Sequence, residues 1–311
     1  MSLVSSNMKL PMCLLPWIDK SKIVWHYMSV NPNAIELLKE HPDKINWVLL
    51  SSKPCAIELL KNNPLKINWN LLSSNPCAEA IELLKENPRK INWNLLSSNP
   101  CAIELLKIYF HKINWTKLSI NPCAEAIELL KENPRKINWS YLSINPCAEA
   151  IELLKENPHK INWKLLSLNQ CAEAIELLEE NPDKIDWVLL SSKPCAIELL
   201  KKNPNKINWC GLSCNPCAIE LLKKNPNKIN WCGLSCNPCA EAIELLKENP
   251  DKIDWSQLSS NPNIFTYDYD KMRENCLLFK EDLMKERFHP RNLYKFSSWG
   301  HNGGIDEEEE E

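Results

Sequence analysis

Tryptophan recurs along this chain every 22 or 24 residues, at Trp25, Trp47, Trp69, Trp93, Trp115, Trp139, Trp163, Trp187, Trp209, Trp231 and Trp255. A unit this small cannot bury an apolar face alone and must stack on its neighbours. Self-similarity at so short a period therefore constrains the fold more than any local motif. A chain of 311 residues would ordinarily suggest about two globular domains, but a solenoid grows by adding units rather than cores.

Residues 121–144 show how one unit should fold. Asn121 is a good N-cap and Pro122 suits the first helical position, where its missing N–H costs nothing. Ala, Glu, Leu and Lys then favour helix as far as Lys131, until Asn133-Pro134 ends it. The residue before the tryptophan is Asn or Asp in ten of the eleven units, Val24 being the departure, so a second and shorter helix should start there. Its length allows about two turns, with a 3₁₀ contribution. Ile127, Leu130, Ile137, Trp139, Leu142 and their equivalents should form one apolar spine, with the tryptophans as its main contributors. The 22- and 24-residue units differ by one Glu-Ala pair, which should lengthen the helix start outward, since the apolar face beyond it is unchanged.

The expected fold is thus all-α: an elongated solenoid of short two-helix repeats, about 80–100 Å long at ordinary helix spacing. Residues 1–22 read as a degraded repeat acting as an N-terminal cap, 23–262 as the solenoid, 263–299 as a helical C-terminal cap and 300–311 as a disordered acidic tail. Within the C-terminal cap, 272–288 reads as one amphipathic helix whose apolar positions include Cys276, Leu277, Phe279 and Leu283.

Composition excludes several functions. Net charge is −3, and the six acidic residues of 306–311 leave a body near +3 (−3 + 6), too weak a balance to argue for nucleic acid. Five glycines, three of them near the C-terminus, leave no phosphate-cradling loop. No signal-peptide pattern and no long apolar run occur, so a cytoplasmic chain without membrane contact is expected. Nine of the fifteen cysteines form one column of the repeat, from Cys55 to Cys239, which stacking should hold too far apart for disulfides. The six histidines have no recurrent acidic or serine partner, so no catalytic residue is assigned and no enzyme is expected.

Two cysteine sets, Cys210-x3-Cys214-x2-Cys217 and Cys232-x3-Cys236-x2-Cys239, match the spacing that holds an iron–sulfur cluster in radical-SAM enzymes. The strand–helix alternation of that class is absent, and residues 223–240 merely copy 201–218. These six read as small, partly buried residues. No metal or cofactor is expected, with a zinc module at 210–239 as an alternative. A lysine column, Lys44 to Lys252, faces a glutamate column, and mutual pairing explains it more simply than a phosphate track. Binding positions are sought where the repeat is broken. Tyr27, Lys117 and Tyr141 replace a common leucine, and Tyr109-Phe110 replaces an Asn-Pro turn.

The Leu-Ser-x-Asn-Pro alternation resembles leucine-rich repeat variant proteins, which alternate an α-helix and a 3₁₀-helix. The combination of Ile-Asn/Asp-Trp-x-x-Leu-Ser-x-Asn-Pro with Ala-Ile-Glu-Leu-Leu, as at 253–260 and 242–246, more closely resembles tandem-repeat proteins of giant nucleocytoplasmic DNA viruses. Their arrays end in a segment like Tyr267-Asp-Tyr269…Phe288-His-Pro-Arg291. The resemblance spans about residues 20–300 and implies an α-solenoid of viral origin, with no activity attached. The expected function is a non-enzymatic protein-binding scaffold, monomeric, with a host protein as partner. Single-stranded nucleic-acid binding along the lysine edge is the other alternative.

Overall fold

A computed structural model describes residues 10–287. The chain divides into two compact units, 14–265 and the combination of 1–13 with 266–311. The larger unit is the expected all-α repeat solenoid, with eleven repeats numbered here by their tryptophans, from repeat 1 at Trp25 to repeat 11 at Trp255.

Repeats 1 to 10 each alternate two helices, and repeat 11 has only the 3₁₀ turn Pro262–Ile264 after its tryptophan helix. The tryptophan helix is one short α-turn of four to six residues, from Trp25–Met28 to Trp255–Ser260. Its cap is the residue before the indole: Asn138 Oδ1 accepts from the Tyr141 N–H, and Val24 makes no such bond. The longer helix depends on repeat length. In 24-residue repeats it runs from alanine, as in Ala124–Glu132. In 22-residue repeats a 3₁₀ turn, as in Pro100–Ala102, precedes a shorter α-helix, Ile103–Ile108. The inserted Ala-Glu therefore extends the helix start and leaves its buried face in register, with Ala102 and Ala126 both fully buried. The proline at the first helical position is seen only in the shorter repeats. In repeats of both lengths the asparagine side chain accepts from the cysteine N–H, as Asn99 does from Cys101 and Asn145 from Cys147. The 3₁₀ character expected of the tryptophan helix lies elsewhere, in the turn between the two helices, Pro134–Lys136 and its equivalents.

The spine consists of leucine, isoleucine and alanine. Ile127, Leu130 and Leu142 are fully buried and Ile137 nearly so. Trp139 and its counterparts are only half-buried, so the indoles flank the core rather than dominate it. Asn133 closes the long helix by donating Nδ2 to the Leu129 carbonyl four residues back.

Two polar ladders join consecutive repeats. Ser143, fully buried, donates its hydroxyl to the Trp139 carbonyl and accepts from the Asn162 N–H of the next repeat at 3.0 Å. Asn145, also fully buried, donates Nδ2 backward to the carbonyls of Ser119 and Asn121 at 3.0 and 2.8 Å. The serine bond recurs at every junction along the array, and the pair of asparagine bonds recurs except where Lys53 or Lys193 replaces the asparagine and at Asn75, which makes only the bond to Ser51.

The same bonds join repeat 11 to repeat 1. The Val24 N–H donates to Ser259 Oγ at 2.9 Å, and Asn31 Nδ2 donates to the Ser259 and Asn261 carbonyls. Asn33 adds a bond to the Pro262 carbonyl, and the Leu15 N–H one to Ile264. The larger unit is therefore a closed ring, not a rod with two free ends. The N-terminal cap expected over 1–22 has no free end to cover, because residues 14–22, which have only the 3₁₀ turn Lys20–Lys22 as helix, lead into repeat 1 and bond to the last repeat through Leu15 and Ile264. Such closure gives the ladder groups of the first and last repeats the neighbours that the inner repeats have.

Strands β1 (Met12–Leu14) and β2 (Phe265–Tyr267) pair where the chain enters and leaves the larger unit, and in the smaller unit the Asp268 N–H bonds to the Pro11 carbonyl. A helix then spans Tyr269–Arg287. Cys276 and Leu277, from its expected apolar stripe, are exposed. The C-terminal cap expected over 263–299 is thus divided: 263–265 join the ring closure, 266–287 form these elements, and 288–299 lie outside the described residues, as do the side chains of Phe279 and Leu283. The tail expected over 300–311 lies outside them as well.

Ring closure has a direct energetic consequence. Ser143→Ala removes a buried acceptor and should lower the unfolding free energy by about 1–3 kcal/mol. Ser259→Ala should cost as much as Ser143→Ala in denaturant titrations, because its hydroxyl is used in the same way. In an open rod Ser259 would face solvent, and its alanine variant would stay within about 0.5 kcal/mol of the parent.

Candidate functional site

The half-buried indoles give the ring its aromatic surface, and lysines cover most of it. Lys160 Nζ sits 4.3 Å from the centroid of Trp139, one repeat back, and Lys90, Lys136, Lys184, Lys228 and Lys252 repeat the contact on Trp69, Trp115, Trp163, Trp209 and Trp231. Lys22 over Trp255 carries it across the closure. Each such contact contributes about 0.5–1 kcal/mol at an exposed site. The lysine column is thus a cation–π ladder. The glutamates expected to face it pair instead with other lysines on their own helices, as Glu128 does with Lys131 at 2.9 Å. A shallow groove at repeats 7 and 8, about 500 Å³, is lined by His159, Ile161, Trp163, Leu177 and Lys184.

The departures from the repeat fall into three places. Tyr109, at the asparagine slot, lays its ring on Trp93 with centroids 5.1 Å apart. Phe110 meets Trp115 edge-on at 5.3 Å, and Lys136 approaches the same indole. Phe110 remains 47% exposed, and the adjacent Ile108 is 71% exposed. Lys117 and Tyr141 come together on the tryptophan helices of repeats 5 and 6, with Lys117 Nζ 5.4 Å from the Tyr141 ring. Tyr27 stands in repeat 1 beside His26, whose ring nitrogen bonds Asn46. Sequence reasoning passed over Ile108 and the almost fully exposed Leu65. Both were visible as apolar residues in slots that other repeats fill with polar ones, such as Glu132 and Arg89.

The turns around Phe110 are basic. Arg89-Lys90, His111-Lys112 and Arg135-Lys136 are all exposed and carry no acidic residue, whereas the turns at 42–44, 182–184 and 250–252 include Asp43, Asp183 and Asp251. Repeats 4 to 6 therefore present exposed aliphatic and aromatic carbon within a positive arc.

All fifteen cysteines are thiols. In the 24-residue repeats the column cysteine contacts the glutamate two residues on, as in Cys123–Glu125, Cys147–Glu149 and Cys171–Glu173. Partial burial, then the carboxylate, push these thiols up, Cys147 to about 11. They are poor nucleophiles near neutral pH. The six thiols of 210–239 do not converge. Cys214 and Cys236 meet across repeats, Cys210 and Cys232 are exposed on the tryptophan helices, and Cys217 and Cys239 stay in the other column, where Cys239 contacts Glu241. Among the described residues no three His, Cys, Asp or Glu side chains are grouped to hold a metal ion, and no helix is long and apolar enough to cross a membrane.

Comparison with protein families, curated proteins and solved structures gave no match.

The raised thiols make stability fall in alkali. Between the ordinary value of 9.0 and about 11 the folded chain keeps the Cys147 proton that the unfolded chain releases. That contribution is complete below pH 9 and is lost as pH rises through 11. The melting temperature should therefore drop across this window, and by less for Cys147→Ser. Equal drops in the two proteins would refute the assignment.

Proposed function

We infer that the ring is a non-enzymatic platform for protein–protein interaction, and that its docking surface lies at repeats 4 to 6. The observation that carries this reading is the exposure of Ile108 and Phe110, beside Tyr109, at the turn that lacks the common Asn-Pro. Flat rings and aliphatic carbon held on rigid packing are what interfaces use as anchors. The surrounding Arg89, Lys112 and Arg135 select for acidic character in the partner and speed its approach. The favoured ligand is accordingly a peptide segment with an aromatic or aliphatic anchor flanked by Asp or Glu. Closure supports the reading, since a ring of eleven mutually braced repeats presents a preorganised surface at little entropic cost.

The lysines lying over the indoles are already engaged, which weakens the case for a phosphate track, and the dispersal of the six cysteines weakens the case for a zinc module. On the viral resemblance drawn from the sequence, the chain works in the cytoplasm of an infected cell and the segment belongs to a host protein.

The test is reversion to the repeat. Tyr109→Asn with Phe110→Pro restores the ordinary turn and should leave the fold and melting behaviour nearly unchanged. Selection from a random peptide library should enrich acidic–aromatic sequences on the parent, with affinity falling about tenfold or more on reversion and weakening in salt. Equal enrichment on both proteins, or enrichment of neither, would overturn the proposal. Preferential retention of single-stranded nucleic acid by the parent would replace it with the other reading.

A further inference from the structure

Among the cysteines, Cys214 and Cys236 stand apart. They occupy the same slot in repeats 9 and 10, one after the buried serine, and their sulfurs lie 3.8 Å apart. Elsewhere that slot holds residues such as Ser98, Ile120 and Leu168. The contact depends on a second change in the same repeats, glycine in place of the usual leucine two residues after the tryptophan. A Cβ at Gly233 would come within 3.0 Å of Cys214 Sγ and 3.2 Å of the Cys210 carbonyl oxygen. Glycine is therefore what lets the Cys214 sulfur settle against the neighbouring tryptophan helix. Both thiols remain partly accessible, and Cys210 and Cys232 are exposed on the same two helices.

We propose that Cys214 and Cys236 form a dithiol site that reacts with low-molecular-weight disulfides and closes into a disulfide joining repeats 9 and 10. The reaction balances as two thiol–disulfide exchanges. The Cys236 thiolate attacks one sulfur of the incoming disulfide, forming a mixed disulfide and expelling a thiolate that takes up a proton. Cys214 loses its proton to water and attacks the Cys236 sulfur, expelling the second thiolate. Two protein thiols are oxidised by two electrons, and one small disulfide is reduced to two thiols. Contact with Cys214 holds Cys236 down to about 7, while Cys214 itself is raised, so the pair has a distinct nucleophile and resolving thiol. Closure requires the sulfurs to move from 3.8 Å to about 2.05 Å, and the close approach of the two tryptophan helices at Gly233, where an added Cβ would lie 3.2 Å from the Cys210 carbonyl oxygen, shortens the span the side chains must bridge. The column cysteines of the 24-residue repeats, Cys77, Cys123, Cys147, Cys171 and Cys239, are instead pushed up by burial and by contact with their glutamates, so they should stay reduced under the same conditions.

Incubating the full chain with oxidised glutathione, quenching with acid and counting thiols after denaturation tests this. The count should fall by two from fifteen. Tryptic digestion without reduction should yield a cross-link between fragments 207–223 and 229–247, which differ in mass by the Glu-Ala insertion, and fragmentation should map it to Cys214 and Cys236. Cys214→Ser and Cys236→Ser should each abolish the cross-link, and Cys217→Ser should retain it, with circular dichroism showing all three folded. An unchanged count would refute the site. So would glutathione adducts confined to Cys210 and Cys232, or a bridge within one fragment. Should a serine variant fail to fold, the cross-link map of the parent protein decides the question alone.

Discussion

Every junction in the ring is held by a serine hydroxyl that serves two chains of helix at once. Ser143 receives the Asn162 N–H of the following repeat while bonding the Trp139 carbonyl of its own. The amide of Asn145 reaches back to the preceding repeat in the same way. These groups are fully buried, and an unmatched buried donor or acceptor costs about as much as a short helix can gain. At a free end the same groups would face water instead of a neighbouring helix, and the repeat would lose the packing and hydrogen bonds of one side. Stacking repeat 1 on repeat 11 restores those contacts at both ends, as Val24, Asn31 and Ser259 show. Closure follows from the same bonds that propagate the array.

Much of the repeat could be read from residues because its causes are local. The caps at Asn138 and Asn133, the buried faces of Ile127 and Leu130, and the outward helix extension in the longer repeats all depend on neighbours a few positions away. Closure does not. It accumulates from a small rotation at each of eleven junctions, and no single residue encodes it. Asn121 illustrates the limit differently. Its role as a local acceptor explains the residue well enough that its second role, donating across the junction to Ser97 and Asn99, leaves no separate trace in the sequence. Tryptophan misleads through size alone. Its area suggests a core position, but all eleven repeat tryptophans are half-buried, and in most repeats a lysine of the neighbouring repeat lies over the exposed face.

The candidate binding surface was legible in part for the same reason. Tyr109 and Phe110 break a pattern that can be seen without coordinates, and the structure leaves Phe110 largely exposed. What could not be read is which departures meet. Lys117 and Tyr141 are 24 residues apart yet share one cation–π contact, while Tyr27 lies in the repeat that closes the ring. Ile108 required comparison of one slot across all repeats, where carbon replaces charge.

The cysteine pair shows how a repeat array acquires new chemistry. Within one repeat, Cys210, Cys214 and Cys217 suggest ligands by their spacing, yet they do not meet as a group. The contact that forms is between copies, because equivalent slots on the tryptophan helices of adjacent repeats face one another. In an ordinary fold a duplicated segment lands somewhere new and its substitutions rarely touch their originals. In a solenoid the copy stacks on its template. Residues 201–218 and 223–240 are identical, so a cysteine and a glycine that are solitary in one repeat become, once copied, a pair of sulfurs and the space that admits them. Duplication here creates a two-residue site from single substitutions, and the ring geometry supplies the proximity.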